Sequence, residues 1–176
     1  IFTGLFFSWG EKDLTPSEPQ TFYEFPQGNA DYDQEFLAYY EKYNVQFLYK
    51  YKESDFRWNV TEYIPYYSVQ ADEAYADKAF HFITENSFAI WDEDFLRLRV
   101  LLASEIYSVT ERYDYVYDEE TQEWGSVKVY DTTYHAAASG LNHIAFGYTS
   151  EKFDQLTENE KLNATGEITK SLIVYA

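Results

Sequence analysis

The chain has 176 residues, which is enough for one domain with a sizeable hydrophobic core. Its formal net charge is −18, which argues against nucleic acid and anionic membrane surfaces as partners, because both attract stripes of lysine and arginine. Apolar residues make up 45% of the chain and charged residues 25%, which argues against extended disorder. There is no cysteine, so the chain can form neither a disulfide nor a thiolate metal site.

Residues 1–30 predict an arm or linker ahead of the domain. Residues 1–10, IFTGLFFSWG, are too few to span a bilayer and resemble the end of a secretory signal. Gly10 and the tether that follows resemble a bacterial lipoprotein junction, except that Glu11 stands where the lipidated cysteine belongs. The alternative is an apolar first strand or arm packed on the domain. We expect export with a lipoprotein tether, and a single domain over residues 31–176.

The next two elements are a helix and a strand. Residues 31–43 place aromatic residues at three- and four-residue spacing, which predicts an amphipathic helix capped by Asp31 or Asp33. Residues 44–52 then alternate apolar and polar side chains, which predicts a strand with one wetter face. The apolar members of this strand are Val45, Phe47, Tyr49 and Tyr51.

A second helix and an inner strand follow. Residues 68–88 give the longest helical pattern in the first half, with Ser68 as its predicted cap. Its predicted buried stripe is Tyr75, Ala79, Phe82 and Ile83. Residues 100–103 form an almost continuous apolar run, which favours a strand buried on both faces.

The second half predicts a hairpin, a strand and a closing helix. Tyrosines alternate over residues 113–117, valines alternate back over residues 127–129, and the acidic stretch between them predicts a turn. Residues 141–148 predict another strand. Thr157 and Glu160 match a capping box, which predicts a helix over residues 157–175. We expect this helix to bury Leu162, Leu172 and Ile173 against the sheet.

Four segments carry a resemblance to known proteins. They are YNVQFLYKY, the helix before FHFITE, LRLRVLLAS, and GLNHIAFGYTSEKFD leading into the last helix. The predicted order of elements is α+β, and it resembles the N-terminal half of the zincin metallopeptidases. From about Phe36 to Ala176 the chain also resembles a family of exported lipoproteins described as zinc metallohydrolases associated with TonB-dependent substrate import. The resemblance implies a zincin-like mixed sheet with packed helices, with the closing helix in the position of the active-site helix.

The specific motif of that family, H-E-x-x-H, is absent. In the motif, two histidines four residues apart hold zinc, and the glutamate acts as general base for the zinc-bound water. By the resemblance, Gly166 and Lys170 stand at the ligand positions and Glu167 at the position of the base. Glycine offers no ligand and lysine is cationic, so the resemblance implies a degenerate site with no catalytic residue, no metal and no cofactor. The alternative is an ordinary helix in which Glu167 and Lys170 form a surface ion pair.

Other metal sites have weaker support in the sequence. We expect His135 in a loop and His143 on a strand, so zinc held by these two and a carboxylate is an alternative that the spacing does not favour. The acidic runs at residues 92–94 and 118–120 lack the alternating ligands of a calcium loop, and predict a helix start and a turn.

These patterns predict an accessory binding protein. The resemblance implies a surface-exposed outer-membrane lipoprotein that accompanies a TonB-dependent importer and its substrate-binding lipoprotein. Tyrosine and tryptophan faces anchor protein interfaces and also stack on sugars, so the ligand is a partner protein, a glycan or a peptide. The alternative function is an enzyme. The apolar end of the chain, SLIVYA, has no cap signal, so this chain is then the N-terminal part of an active zinc metallopeptidase whose motif follows Ala176.

Overall fold

The computed structural model describes residues 23–57, 66–91 and 99–175, without the side chains of residues 174 and 175. Its helices are α1 (Asp31–Tyr43), α2 (Glu53–Phe56), α3 (Ala76–Ile83), α4 (Lys152–Gln155) and α5 (Glu158–Tyr175). Its strands are β1 (Gln46–Leu48), β2 (Tyr66–Gln70), β3 (Arg99–Asp118), β4 (Glu123–His135), β5 (Ala137–Ser139) and β6 (His143–Phe146). Within these ranges, no helix combines the length and apolar character needed to cross a bilayer. The predicted α+β class is confirmed.

The sheet is mixed and is organised around β3. The first residues of β3 pair in parallel with β1 on one side and with β6 on the other. The short strand β5 pairs antiparallel with β6 and so extends the sheet beyond β6. Further along, β3 pairs antiparallel with β2 and then with β4. The apolar run predicted as an inner strand, residues 100–103, is fully buried at the centre of this arrangement.

The core lies on both faces of the sheet. On the helix side, Phe36 of α1 and Phe80 of α3 contact Phe47 of β1, with ring centroids 5.5 Å and 4.8 Å from that of Phe47. On the other side, a smaller cluster forms around Leu48, Phe56 and Ile106. Both clusters are rich in aromatic rings, which accounts for part of the high aromatic content.

Helix α1 has the predicted bounds, and Asp33 stabilises its start. The Asp33 carboxylate is buried and accepts hydrogen bonds from the Ala30 N–H at 2.9 Å and from the Tyr49 hydroxyl at 2.8 Å. The N-cap residue is Ala30, so neither Asp31 nor Asp33 is the predicted N-cap, and Asp33 instead binds the N-cap N–H from the first turn. Asp31 is exposed in the first turn.

The end of the predicted arm lies against the domain. Tyr23 and Phe25 pack on the core clusters, and the Gln27 side chain accepts a hydrogen bond from the Tyr49 N–H at 2.9 Å. These contacts join residues 23–30 to the end of β1. Residues 1–22 lie outside the described ranges, so the arm, the export signal and the tether remain predictions.

The cap of the second predicted helix is wrong. Ser68 lies in the middle of β2, because residues 66–70 all pair with β3. The helical segment begins instead at a 3-10 turn, where Asp72 accepts a hydrogen bond from the Ala74 N–H at 3.0 Å. Of the predicted stripe, Ala79 and Ile83 are buried, and Tyr75 and Phe82 are half-buried.

Helix α5 forms as predicted but buries a different face. Its capping box is confirmed: the Glu160 carboxylate accepts a hydrogen bond from the Thr157 N–H at 2.8 Å, and the Thr157 hydroxyl accepts one from the Glu160 N–H at 3.3 Å. The buried positions are Ala164, Ile168, Ser171 and Leu172. Leu162 and Ile173, predicted to be buried, are 70% and 61% exposed. The buried face of α5 is a narrow line of small and branched residues, because that is the side of the helix that packs on β5 and β6.

Candidate functional site

The two ligand positions of the missing zinc motif lie on the outer side of α5. Gly166 is exposed, and a Cβ placed on it would meet no heavy atom within 4 Å. Lys170, one turn later, is also exposed. The structure therefore places these two positions on one solvent-facing side of the helix.

Glu167 has a structural role in this arrangement. Its Oε2 atom accepts hydrogen bonds from the Ala136 N–H at 2.9 Å and from the Ala137 N–H at 3.1 Å. The first amide belongs to the bend between β4 and β5 and the second to the first residue of β5, so the carboxylate ties α5 to the edge of the sheet. No ion pair joins Glu167 to Lys170 in the described part of the chain.

Two of the three histidines lie apart from any cluster of metal ligands. His143 is buried on β6, as predicted, and burial lowers the pKa of its imidazole to about 4. His135 is the last residue of β4 and not part of a loop, because it pairs with Ile106. In the described ranges, neither belongs to a group of three metal-ligating side chains.

His81 does lie among carboxylates. Its Nε2 atom is 3.4 Å from the Glu35 Oε2 atom and 3.4 Å from the Asp77 Oδ1 atom. The Nδ1 atom lies 3.6 Å from the Glu85 Oε1 atom. All four side chains are about half exposed or more, and contacts of this kind at the surface add little to stability.

A serine of β3 and a histidine of β4 are also in contact across the two strands. The Ser108 Oγ atom lies 2.8 Å from the His135 Nε2 atom, and the Tyr66 ring lies over the imidazole with centroids 4.5 Å apart. A nucleophilic site requires a third group on the histidine and donors for an oxyanion. Neither contact with His135 supplies one, so we interpret the pair as satisfying the polar atoms of two side chains on the sheet.

The most unusual feature is a two-stranded ribbon formed by β3 and β4. Beyond Ser108, where the pairing with β2 ends, residues 109–118 pair only with residues 123–132 in the described sheet. At about 3.3 Å per residue, these ten-residue stretches span roughly 33 Å. Asp118 closes the turn by accepting hydrogen bonds from the Glu120 and Thr121 N–H groups, as predicted for this acidic run.

The register places the large aromatic side chains of the ribbon on one face. Directly paired residues share a face, and successive pairs along the ladder lie on opposite faces of the ribbon. Tyr117 pairs with Trp124, with ring centroids 5.4 Å apart, and Tyr107 pairs with Tyr134. We define the tyrosine face by its exposed aromatic members: Tyr113, Tyr115, Tyr117, Trp124, Tyr130 and Tyr134.

Exposure separates the tyrosine face from the rest of the molecule. Its six aromatic residues are between 44% and 76% exposed. Every tyrosine in the exposed class within the described ranges lies on this face. The opposite face, which we call the valine face, carries Val116 and Val127, with Arg112 bonded to Asp131 at 2.6 Å.

The ribbon is acidic. Residues 111–131 contain seven carboxylates and two cationic side chains. Arg112 is bonded to Asp114 and Asp131, and Lys128 to Glu111. The hydrogen bond from Lys128 to Glu111 raises the pKa of the lysine. The remaining four carboxylates lie at or beside the turn: Asp118, Glu119, Glu120 and Glu123.

Comparison of the chain with models of protein families, with curated proteins and with solved structures found no match.

The sequence predicts the strand that carries the tyrosine face, but not the exposure of that face. The alternation of Tyr113, Tyr115 and Tyr117 predicts a strand, but not which of its faces is covered. The register of the hairpin supplies this information: if Tyr117 pairs with Trp124 across the turn, Tyr130 lies on the same face as the three tyrosines. The predicted alternation of Val127 and Val129 is present, but it belongs to the valine face.

Proposed function

We propose that this chain is a non-catalytic binding domain that holds a partner protein on the tyrosine face of its ribbon. One observation carries the proposal: every exposed tyrosine of the described residues lies on one face of a ribbon that is open to solvent on both sides. A two-stranded ribbon is marginally stable on its own in water. Contiguous exposed apolar surface marks interaction sites, and tyrosine and tryptophan supply much of the binding energy of protein interfaces.

The contacts of Glu167 support the non-catalytic part of the proposal. A general base must have a free lone pair directed at the proton that it removes. In this chain two backbone hydrogen bonds to Oε2 hold the Glu167 carboxylate against the start of β5, and the flanking Gly166 supplies no ligand. We propose that Glu167 has become a structural residue.

We further propose that the domain has a zincin-like origin. Three parallel strands, β1, β3 and β6, are followed by the antiparallel strand β5, and α5 lies beside β5. The resemblance implies strands and an edge strand ahead of the active-site helix, and in this chain the edge strand β5 and then β6 precede α4 and α5. This order supports a degenerate metallopeptidase-like domain, with the catalytic chain as the alternative.

The resemblance alone suggests where the domain works. We propose an exported, lipid-anchored protein at the outer-membrane surface, with a TonB-dependent importer or its substrate-binding lipoprotein as the partner. A glycan ligand is the alternative for the same face, because tyrosine rings also stack on sugars.

Site-specific photocrosslinking in the native cells tests the binding face. A benzophenone amino acid replaces Tyr115, which is 76% exposed, or its neighbour Val116, which is 50% exposed on the valine face. We expect a discrete protein adduct from position 115 and little from position 116. Equal labelling from both positions, or none from position 115, contradicts the proposal. An adduct to a protein outside the import complex rejects the proposed setting but not the binding face.

A further inference from the structure

The partner of the tyrosine face can be specified further, on the basis of the proposed function. We infer that it is an extended, arginine- or lysine-rich polypeptide segment whose cationic side chains lie on the tyrosine rings. The inference depends on the spacing of the rings, on the cations that they already contact, and on the charge of the ribbon.

The spacing matches an extended polypeptide. Tyr113, Tyr115 and Tyr117 alternate along β3, so neighbouring rings start about 6.6 Å apart. An extended partner chain presents every second side chain on one face with the same repeat. A segment with a cation at every second residue can therefore place one cation on each ring without bending.

The rings of this face already contact ammonium groups from the chain itself. The Lys128 Nζ atom lies 5.9 Å from the ring centroid of Tyr113 and 5.7 Å from that of Tyr130. At the base of the ribbon, the Lys152 Nζ atom lies 5.0 Å from the ring centroid of Tyr134. These distances are within the range of cation–π attraction. Both lysines are also bonded to carboxylates, Glu111 and Glu105, so ring and carboxylate together form the binding environment of each cation.

The charge of the ribbon selects the sign of the partner. The excess of five carboxylates over cations in residues 111–131 repels anionic polymers and, with the net charge of −18, a second copy of the chain. Both cations of the ribbon are already paired with its own carboxylates. The four acidic side chains at the turn therefore attract a basic segment and orient it along the ribbon.

Defined peptides test the inference on the full chain. The probe is a fluorescent twelve-residue peptide, (Arg-Thr)6, and binding is measured by anisotropy at low and moderate salt. In an extended conformation (Arg-Thr)6 presents all six of its arginines on one face. A peptide of the same composition, (Arg-Arg-Thr-Thr)3, presents three on each face. The variant of the binding face is Tyr113→Thr/Tyr115→Thr/Tyr130→Thr. The matched control on the valine face is Val116→Thr/Val127→Thr, and circular dichroism verifies that both variants are folded.

We expect (Arg-Thr)6 to bind more tightly than the control peptide. The triple variant should lose roughly tenfold to a hundredfold in affinity, because three exposed cation–π contacts are removed. The valine-face control should remain within twofold of the wild-type chain. Equal affinity for the two peptides, no loss in the triple variant, or no binding of (Arg-Thr)6 overturns the inference. If (Arg-Thr)6 fails while the crosslink from position 115 persists, the binding face stands and only the cationic partner is rejected.

Discussion

At the scale of single residues, Glu167 carries the clearest structural role. Its carboxylate accepts hydrogen bonds from two backbone N–H groups at the start of β5. We predict that Glu167→Ala lowers the free energy of unfolding by about 1–3 kcal/mol, because two amides lose their acceptor. Glu167→Gln keeps an acceptor oxygen and should lose less. Lys170→Ala, at an exposed position, should stay within about 0.5 kcal/mol of the wild type. Urea unfolding measures all three, and an unchanged Glu167→Ala protein contradicts the assignment.

Gly166 gives a prediction of the opposite sign. It lies within α5, and an added Cβ would meet open space. Gly166→Ala should therefore raise the free energy of unfolding by about 0.5–1 kcal/mol, because glycine in a helix costs backbone entropy. Gly28→Ala is the contrasting control, since its Cβ would lie 2.6 Å from the Tyr49 hydroxyl and 2.7 Å from Asp33 Oδ2. That variant should be destabilised. A loss of stability in Gly166→Ala would show that the helix needs a glycine there.

His143 predicts the effect of acid on the fold. Burial lowers the pKa of its imidazole to about 4, from an unfolded value near 6.5, so the unfolded chain binds the proton first. Its contribution to stability is present above pH 6.5 and is lost as the pH falls towards 4, by about 3 kcal/mol over that window. We predict that His143→Asn flattens this part of the curve of unfolding free energy against pH. An NMR titration of His143 with a midpoint near 6.5 in the folded chain would contradict the prediction.

At the scale of elements, the ribbon should be separable from the domain. Residues 111–130 pair only with one another in the described sheet and contribute no side chain to either core cluster. We predict that joining Thr110 to Asp131 through an Asn-Gly turn leaves the free energy of unfolding within about 1 kcal/mol. The measurement is urea unfolding with tryptophan fluorescence. Loss of the cooperative transition would mean that the ribbon is part of the folding unit.

Most elements could be predicted because their patterns are local. The bounds of α1 and the capping box at Thr157 follow from neighbouring residues, and the structure has both. The errors concern what each element meets in space. Ser68 has a side chain suited to an N-cap, but Ser68 and its neighbours form a strand that pairs with β3. Leu162 is apolar, yet only the line through Ile168 faces the sheet, since β5 and β6 lie on that side.

The candidate site was harder to predict for the same reason. Alternating tyrosines predict a strand with two different faces, and a tyrosine face can be either a core or a binding surface. The distinction depends on whether another layer covers the ribbon, which is a property of the tertiary structure. Tyr67 and Tyr107 stack near the base of the ribbon and are half-buried, while Tyr115 further along the same face is 76% exposed.

At the scale of the whole molecule, the chain consists of a folded body and a binding ribbon. The body buries its aromatic residues on both faces of a mixed sheet. The ribbon exposes its aromatic residues on one face and carries an excess of negative charge. A partner that covers this face removes apolar surface from water and neutralises charge, so its binding should weaken as the ionic strength rises.

The central claim is that the tyrosine face is covered in the cell. Mass spectrometry can measure the nitration rate of each tyrosine in the purified chain and in intact cells that produce it. The account predicts fast nitration of Tyr113, Tyr115 and Tyr130 in the purified chain and nitration at least several-fold slower in the cell. Acetylation of Lys52, which is exposed and is not a residue of the ribbon, should proceed at a similar rate in both. Equal nitration rates for these tyrosines in the two preparations would contradict the account.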